Sequence, residues 1–109
     1  MKPYFYKATI SNVLLQHIAS NASYFGSTMA SSVNAFGGKL IRCHVMASSG
    51  DPIGFLEFPD DLAARAWNAF YGSQEGVLTS RISRLLDETD LGEMHGRVSL
   101  NKAAAMAHR

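Results

Sequence analysis

The chain has little charge, almost no cysteine and no long apolar run. Only 17% of its 109 residues are charged and its formal net charge is +1, so it lacks the basic field that draws a protein onto nucleic acid or an anionic membrane. No segment approaches the roughly 20 apolar residues of a spanning helix. The N-terminal MKPYFYKATI lacks the apolar core of a signal peptide. These absences predict a soluble protein without a strong electrostatic partner.

Cysteine and histidine are too few and too scattered to predict a metal site. The one cysteine, Cys43, falls in a predicted strand and has no partner for a disulfide within the chain. We interpret it as a small buried hydrophobe in a reducing, cytoplasmic protein. His17, His95 and His108 have no spacing that places two ligands on one helix face. We therefore expect no metal and no cofactor.

Apolar residues, in contrast, are plentiful. They make up 47% of the sequence, which excludes a disordered chain. A length of 109 residues is enough for one core and too short for two. We therefore expect a single domain over residues 1–109, with its core in 4–86 and an extension in 87–109. Some of the apolar surface is expected to meet another chain.

The first third of the sequence predicts a strand followed by a long helix. Tyr4 to Ile10 alternates aromatic and β-branched residues, as a strand does. From a candidate N-cap at Ser11 or Asn12, apolar residues spaced by three or four continue to Phe36 on one helical stripe. A break is expected between residues 21 and 26, where a glycine interrupts the run. The Gly-Gly pair that follows is predicted to end the helix, with one glycine in the left-handed conformation.

The stretch Gly37 to Pro59 is the centre of the predicted fold. Lys39 to Ala47 and Ile53 to Phe58 alternate as strands do, and the Ser-Ser-Gly-Asp-Pro sequence between them has the composition of a turn. These features predict a hairpin. Its residues predicted to face the helices are Ile41, Cys43, Val45, Ala47, Gly54, Leu56 and Phe58.

A second helix and a fourth strand complete the predicted domain. Pro59 and Asp60 open the helix, and Gly72 closes it. The predicted buried stripe of this helix consists of Leu62, Ala63, Ala66, Trp67 and Phe70. Val77 to Leu86 is the fourth strand. Beyond it we expect a short C-terminal helix or arm, since Asp90 and Glu93 have capping-box spacing and residues 103–108 favour helix.

The order β-α-β-β-α-β is the ferredoxin-like pattern, also called the α-β plait, of the α+β class: a four-stranded antiparallel sheet with two helices on one face. The other face is bare, and it mixes apolar with ionisable residues. Its predicted members are Leu40, Arg42, His44, Met46, Ile53, Phe55 and Glu57. An uncovered patch of that size is uncommon on a monomer. We therefore expect a homodimer or higher oligomer through this face, with a small-molecule ligand as a further candidate partner.

The sequence has Gly37-Gly38-Lys39-Leu40 after a helix, the run LEFPDD at 56–61, and Leu85-Leu86 before Glu93-Met94. Together these segments resemble the GYD-domain family. The resemblance covers residues 4 to 94 and departs from the family at the turn that names it, where only Asp51 of Gly-Tyr-Asp matches. It implies a self-associating ferredoxin-like protein, related in fold to the dimeric α+β barrel proteins. Asp51 could then point into a neighbouring subunit.

The dimeric α+β barrel proteins include cofactor-independent monooxygenases, which suggests an enzyme as an alternative. In a regular hairpin, His44 lies near Glu57, and an imidazole oriented by a carboxylate could act as a general base. Arg42 could hold an anionic substrate or pair with Glu57. The competing interpretation of His44 is a hydrogen-bonded interface residue. The residues assigned to a ligand pocket or interface are Leu40, Met46, Ile53, Phe55 and Asp51.

The run GFLEF at 54–58 also resembles the end of the RNA-recognition-motif signature, whose exposed aromatic residues stack on bases. Phe55 and Tyr6 would be the stacking residues. However, Asp51 stands where that signature has a basic residue, and Ile53 stands where it has an aromatic one. Because both losses weaken the affinity for RNA, the sequence disfavours nucleic acid as a partner.

Overall fold

The computed structural model describes residues 1–107; His108 and Arg109, and with them the predicted helical end at His108, lie outside the described residues. The described part is an α+β structure. Its elements in order are β1 (Lys2–Ile10), α1 (Asn12–Ser20), α2 (Ala22–Ala35), β2 (Lys39–Val45), β3 (Pro52–Phe58), α3 (Asp61–Gly72), β4 (Val77–Arg84) and α4 (Glu88–Ala107).

The strands of residues 1–107 form one open antiparallel sheet in the order β2-β3-β1-β4. The α+β class and the four-stranded antiparallel sheet predicted from the sequence are therefore confirmed. The two hairpin strands end and begin close to their predicted limits: β2 stops at Val45, two residues early, and β3 starts one residue early at Pro52.

The long helix predicted after β1 is confirmed, together with its break. The Ser11 hydroxyl accepts a hydrogen bond from the backbone N–H of Leu14 at 3.1 Å and caps α1. Asn21, with φ of −136° and ψ of 49°, separates α1 from α2. Its side chain donates to the carbonyl of His17 instead of capping α2. Gly37, at φ 79°, is left-handed and follows the end of α2 as predicted.

The core lies between the helices and one face of the sheet, and Trp67 is at its centre. The Trp67 ring centroid lies 5.3 Å from that of Tyr6, 5.2 Å from that of Tyr71 and 5.9 Å from that of Phe58. The indole N–H donates to the Ser32 hydroxyl of α2 at 3.1 Å. A buried Trp with its donor satisfied anchors α3 to both the sheet and α2.

Tyr6 lies across Gly54 in this core. The two residues are directly opposite each other on β1 and β3, and Cys43 of β2 is opposite Gly54 on its other side. A Cβ atom at position 54 would stand 2.2 Å from the Tyr6 ring. Glycine is therefore required at this position because the tyrosine ring occupies the space of a side chain.

A β-bulge in β2 makes part of the predicted face assignment wrong. Leu40 pairs with Leu56 and Arg42 pairs with Phe55, so Ile41 is an extra residue. Leu40 consequently packs against the core, although the open face was predicted for it, while Ile41 is 47% exposed instead of facing the helices. A single inserted residue reverses the alternation on its N-terminal side.

A second bulge lies in β4. Thr79 pairs with Thr9 and Val77 pairs with Ile10, so Leu78 is the extra residue there. The two bulges therefore interrupt the strands at opposite edges of the sheet, β2 and β4.

The buried stripe of α3 is displaced from its predicted position. The helix buries Ala64, Trp67 and Tyr71, whereas the predicted Leu62 and Phe70 are exposed. Both candidate stripes pass through Trp67 at intervals of three and four residues, so periodicity alone does not choose between them. The sheet is covered by the side that carries Tyr71, whose ring stacks on Trp67.

The C-terminal segment is a 20-residue helix, longer than the short helix or arm predicted. Its start differs as well: the N–H of Asp87 donates to the Asp90 carboxylate at 3.1 Å and the N–H of Asp90 donates to that of Asp87 at 2.8 Å. The reciprocal cap is thus Asp87 with Asp90, not Asp90 with Glu93. Nearly all described side chains of α4 are exposed, and the molecule extends to 62 × 28 × 22 Å. No described helix is both long and apolar enough to cross a membrane.

Candidate functional site

The face of the sheet turned away from α1, α2 and α3 is uncovered by any described helix, and we call it the open face. Directly paired residues of adjacent strands point to the same side of a sheet, and the core residues of β1 and β3 point to the helices. The open face therefore consists of Pro3, Phe5, Lys7, Thr9, Lys39, Arg42, His44, Ile53, Phe55, Glu57, Thr79, Arg81 and Ser83. Asp51 precedes β3, and its carboxylate joins this face through an ion pair with Lys7.

An aromatic pair lies at the centre of the open face. Phe5 of β1 is directly opposite Phe55 of β3, and their ring centroids are 5.5 Å apart with an interplanar angle of 56°. Phe55 is 39% exposed. Ile53 is the next residue of β3 on this face, so the middle of the sheet presents an apolar centre to solvent.

Charged groups surround this centre. The cations are Lys7, Lys39, Arg42 and Arg81, and the carboxylates are Asp51 and Glu57. The Lys7 ammonium lies 3.8 Å from the Asp51 carboxylate. The open face thus carries two more cations than carboxylates, whereas the formal charge of the whole chain is +1.

The predicted pairing of His44 with Glu57 is wrong. His44 is opposite Ile53, whereas Glu57 is opposite Lys39 and Pro3. Four residues of β3 separate the two positions, which corresponds to about 13 Å along the strand. Both residues lie on the open face, but the carboxylate is too distant to orient the imidazole.

Arg42 lies opposite Phe55, which is two residues before Glu57 on β3. The ion pairs formed within residues 1–107 are Lys7 with Asp51 and Arg84 with Asp90, so an Arg42–Glu57 pair is not among them. The Arg42 guanidinium is exposed on an edge strand. It is therefore available to an external carboxylate or phosphate.

The hairpin turn holds Asp51 beside β1. The N–H of Met46 donates to the Asp51 carbonyl at 2.8 Å, and the N–H of Gly50 donates to the Met46 carbonyl at 2.8 Å, with Gly50 at φ 74°. Met46 is consequently a turn residue beyond the end of β2. The Asp51 carboxylate faces Lys7 of its own chain.

Sequence reasoning missed the contribution of β1 to this face. It proposed Tyr6 as a stacking residue, but Tyr6 is fully buried against Trp67. The aromatic residue of β1 on the open face is the half-buried Phe5, opposite Phe55. Lys7 and Arg81, which pair across β1 and β4, were missed for the same reason. Both faces of β1 carry aromatic residues, Tyr4 and Tyr6 on one and Phe5 on the other. The alternation of β1 therefore did not show which face turns to the helices.

The perturbed titratable groups lie on the helix side of the sheet. Burial raises the pKa of Tyr71 to about 12 and also raises the pKa values of Tyr6 and Cys43. Burial and a 2.5 Å hydrogen bond to Asp61 raise the pKa of Tyr4 to about 12, and the same bond lowers the pKa of Asp61. In residues 1–107 no three His, Cys, Asp or Glu side chains come together as a metal site would require.

No family model matches the chain, and no curated protein matches it in sequence. The resemblance to GYD-domain proteins therefore stays a prediction. The candidate site has to be interpreted from its own geometry.

Proposed function

We propose that this protein is a ferredoxin-like module of the GYD type that self-associates through its open face. The observation that carries the proposal is the Phe5–Phe55 pair, a half-buried ring beside an exposed one, at the centre of a sheet face that no described helix covers. Apolar centres framed by charges are typical of protein interfaces.

The order of strands and helices along the chain supports the ferredoxin-like assignment. If α1 and α2 count as one interrupted helix, residues 2–84 follow the order β-α-β-β-α-β. Helix α4 is then an addition to that pattern. The half-buried free thiol of Cys43 is compatible with a reducing compartment such as the cytoplasm.

A two-fold axis through the open face would place two like surfaces together, so the face has to be self-complementary. Its centre can bury the phenylalanine rings of both copies. At its periphery the face carries charges of both signs, with Glu57 beside Lys39 and Arg42, so oppositely charged groups of two copies can pair. Buried aromatic side chains at the middle of such an interface supply most of its affinity.

Light scattering on the wild type and two matched variants tests the proposal. Phe55→Asp places a carboxylate in the centre of the open face, and Leu62→Asp makes the same kind of change on the exposed surface of α3, on the other side of the sheet. We expect a dimeric or larger wild type, a folded monomer for Phe55→Asp and an unchanged mass for Leu62→Asp. A wild type that is monomeric at tens of micromolar would contradict the proposal.

Single-stranded RNA is a second candidate partner, and one specific observation favours it. Phe5 and Phe55 stand side by side on the two central strands, with Lys7, Arg42 and Arg81 around them. Exposed aromatic rings on a sheet, flanked by cations, bind single strands by base stacking and phosphate contacts.

Fluorescence anisotropy of a labelled oligouridylate at low and high salt decides this second candidate. Binding by the wild type that weakens with salt and is lost in Phe5→Ala and Phe55→Ala would support RNA as the partner. Absence of binding at low salt would exclude it. The enzyme alternative has lost its His44–Glu57 pair, and no further observation favours it.

A further inference from the structure

A cleft of about 340 Å³ opens within the helix layer, on the opposite side of the sheet from the open face. Helices α1 and α2 form one wall, and α3 with the loop after it forms the other. The break at Asn21 lies on the rim. The floor is made of the buried residues Ile18, Met29 and Tyr71. We call this feature the helix-layer cleft.

Two aromatic side chains on the walls of the cleft are left exposed. Tyr24 of α2 is 65% exposed and Phe70 of α3 is 42% exposed. Phe70 packs on Phe36 with a centroid distance of 5.6 Å, so its ring is held in place. A flat aromatic molecule between the walls would cover both rings and gain the favourable geometry of aromatic packing.

The floor of the cleft has unused hydrogen-bonding capacity. The Tyr6 hydroxyl is fully buried and makes no well-formed hydrogen bond. The group within its reach is the hydroxyl of Tyr71, which lines the cleft. Buried hydroxyls without a partner are rare because burial without a hydrogen bond is costly. Since burial raises the pKa of Tyr71 to about 12, its hydroxyl is a protonated donor at neutral pH.

We propose that the helix-layer cleft binds a neutral aromatic molecule of about two fused rings that carries one hydroxyl or carbonyl group. The rings lie between Tyr24 and Phe70, and the polar group reaches the Tyr71 hydroxyl, behind which Tyr6 lies. The titratable residues of the lining are Tyr24, Tyr71, His17 and Glu75. With one carboxylate and no lysine or arginine, the lining favours a neutral ligand over a carboxylate or phosphate.

The volume agrees with this class of ligand, because pockets of about 300 Å³ and more hold small organic molecules. The proposal is independent of self-association, since the cleft and the open face lie on opposite sides of the sheet. A Phe55→Asp variant should consequently bind the same ligand as the wild type, whatever its oligomeric state.

Titration of the ¹⁵N-labelled protein with 2-naphthol, followed by NMR, tests the proposal. Trp67 is the one tryptophan, and its indole N–H donates to Ser32, a residue of the cleft lining. Its single indole signal is thus a reporter of the cleft. We expect saturable shifts of this signal and of the amides of Asn21 and Gln74, with the amide of Phe55 unmoved. Saturable shifts on the open face alone, or none up to the solubility of 2-naphthol, would overturn the proposal.

A matched pair of ligands and a matched pair of variants locate the contacts. 2-Naphthol should bind roughly two- to tenfold more tightly than naphthalene, which lacks the hydroxyl, and Tyr71→Phe should abolish that difference. Thr28→Phe places a ring on the cleft wall and should weaken binding at least tenfold. Ser27→Phe, one residue away and outside the lining, should leave it unchanged.

Both Thr28 and Ser27 are exposed on α2, so these two variants are expected to fold even if Tyr71→Phe does not. Equal affinities of Thr28→Phe and Ser27→Phe for 2-naphthol would refute the assignment of the cleft. Loss of binding in Thr28→Phe alone would support it.

Discussion

The packing of the aromatic core depends on single residues whose neighbours leave no space for a larger side chain. Gly54 is the clearest case, because the Tyr6 ring crosses it on the way to Cys43 and Tyr71. The Tyr6 hydroxyl makes no well-formed hydrogen bond, and the group within its reach is the hydroxyl of Tyr71. The Tyr6 side chain is therefore both closely packed and poorly hydrogen-bonded, and each property has a measurable effect on the free energy of unfolding.

Gly54→Ala is expected to destabilise the protein by about 1–3 kcal/mol, because the added methyl group would stand 2.2 Å from the Tyr6 ring and displace it from Trp67. Urea denaturation measures the change. In a Tyr6→Ala background the same substitution should cost less than about 1 kcal/mol, since the ring that clashes is gone. An equal cost in both backgrounds would mean that the clash is with the backbone carbonyl of Arg42 on β2, which would lie 3.0 Å from the added atom, and not with the Tyr6 ring.

Tyr6→Phe and Tyr4→Phe form a matched comparison of two buried tyrosines on β1. The Tyr4 hydroxyl donates to Asp61, so Tyr4→Phe should lower the free energy of unfolding by about 1 kcal/mol. Tyr6 has no such partner, and its replacement should leave the free energy of unfolding unchanged or raise it slightly. Thermal unfolding of the two variants gives the answer. If Tyr6→Phe is the more destabilised, a water molecule or a ligand atom satisfies that hydroxyl.

Stability is expected to fall as the pH rises from 10 to about 12. Below pH 10 the tyrosines are protonated in both the folded and unfolded states. Above it, the unfolded state loses protons that folded Tyr71 keeps, because the folded pKa is raised to about 12. The loss for Tyr71 is at most about 3 kcal/mol. Urea denaturation across this range should show a smaller fall in Tyr71→Phe, and an unchanged slope would show that Tyr71 does not contribute.

At the scale of elements, the ends and breaks of the helices were predicted better than the side to which each strand or helix turns its residues. A cap at Ser11 or Asn12, a break between residues 21 and 26 and one left-handed glycine of the Gly-Gly pair were predicted from local chemistry, and the structure has them at Ser11, Asn21 and Gly37. The bulge at Ile41 has no such signature, so the prediction placed Leu40 on the wrong face. The stripe of α3 was misplaced because the choice depends on which side the sheet covers, which is a tertiary effect.

Helix α4 offers a prediction at this scale. Gly92 and Gly96 lie within it, and a Cβ atom at either position would meet nothing within 4 Å. Replacing both with alanine should therefore add helical signal in circular dichroism, since each glycine costs about 1 kcal/mol relative to alanine. The urea midpoint of Trp67 fluorescence should not change. A shifted midpoint would indicate that α4 packs on the core.

At the scale of the whole molecule, the two sides of the sheet have different uses. The predicted members Arg42, His44, Ile53, Phe55 and Glu57 lie on the open face, because alternation is intact on the C-terminal side of the bulge. Alternation could not predict that Phe5 belongs to the open face, because it does not show the side to which β1 turns. It could not predict the helix-layer cleft either, because the cleft lies between α1–α2 and α3, which are distant in sequence.

The bulges of β2 and β4 have a consequence for how copies of this protein can join. An edge strand with regular hydrogen-bonding groups is a template for lateral strand addition, which leads to ribbons and fibrils. Here the extra residues Ile41 and Leu78 interrupt both edges, and Arg42 and Arg81 add charge beside them. Growth of the sheet beyond four strands is thereby hindered in both directions. Copies that associate are directed to face-to-face contacts, which close after two members instead of continuing without limit.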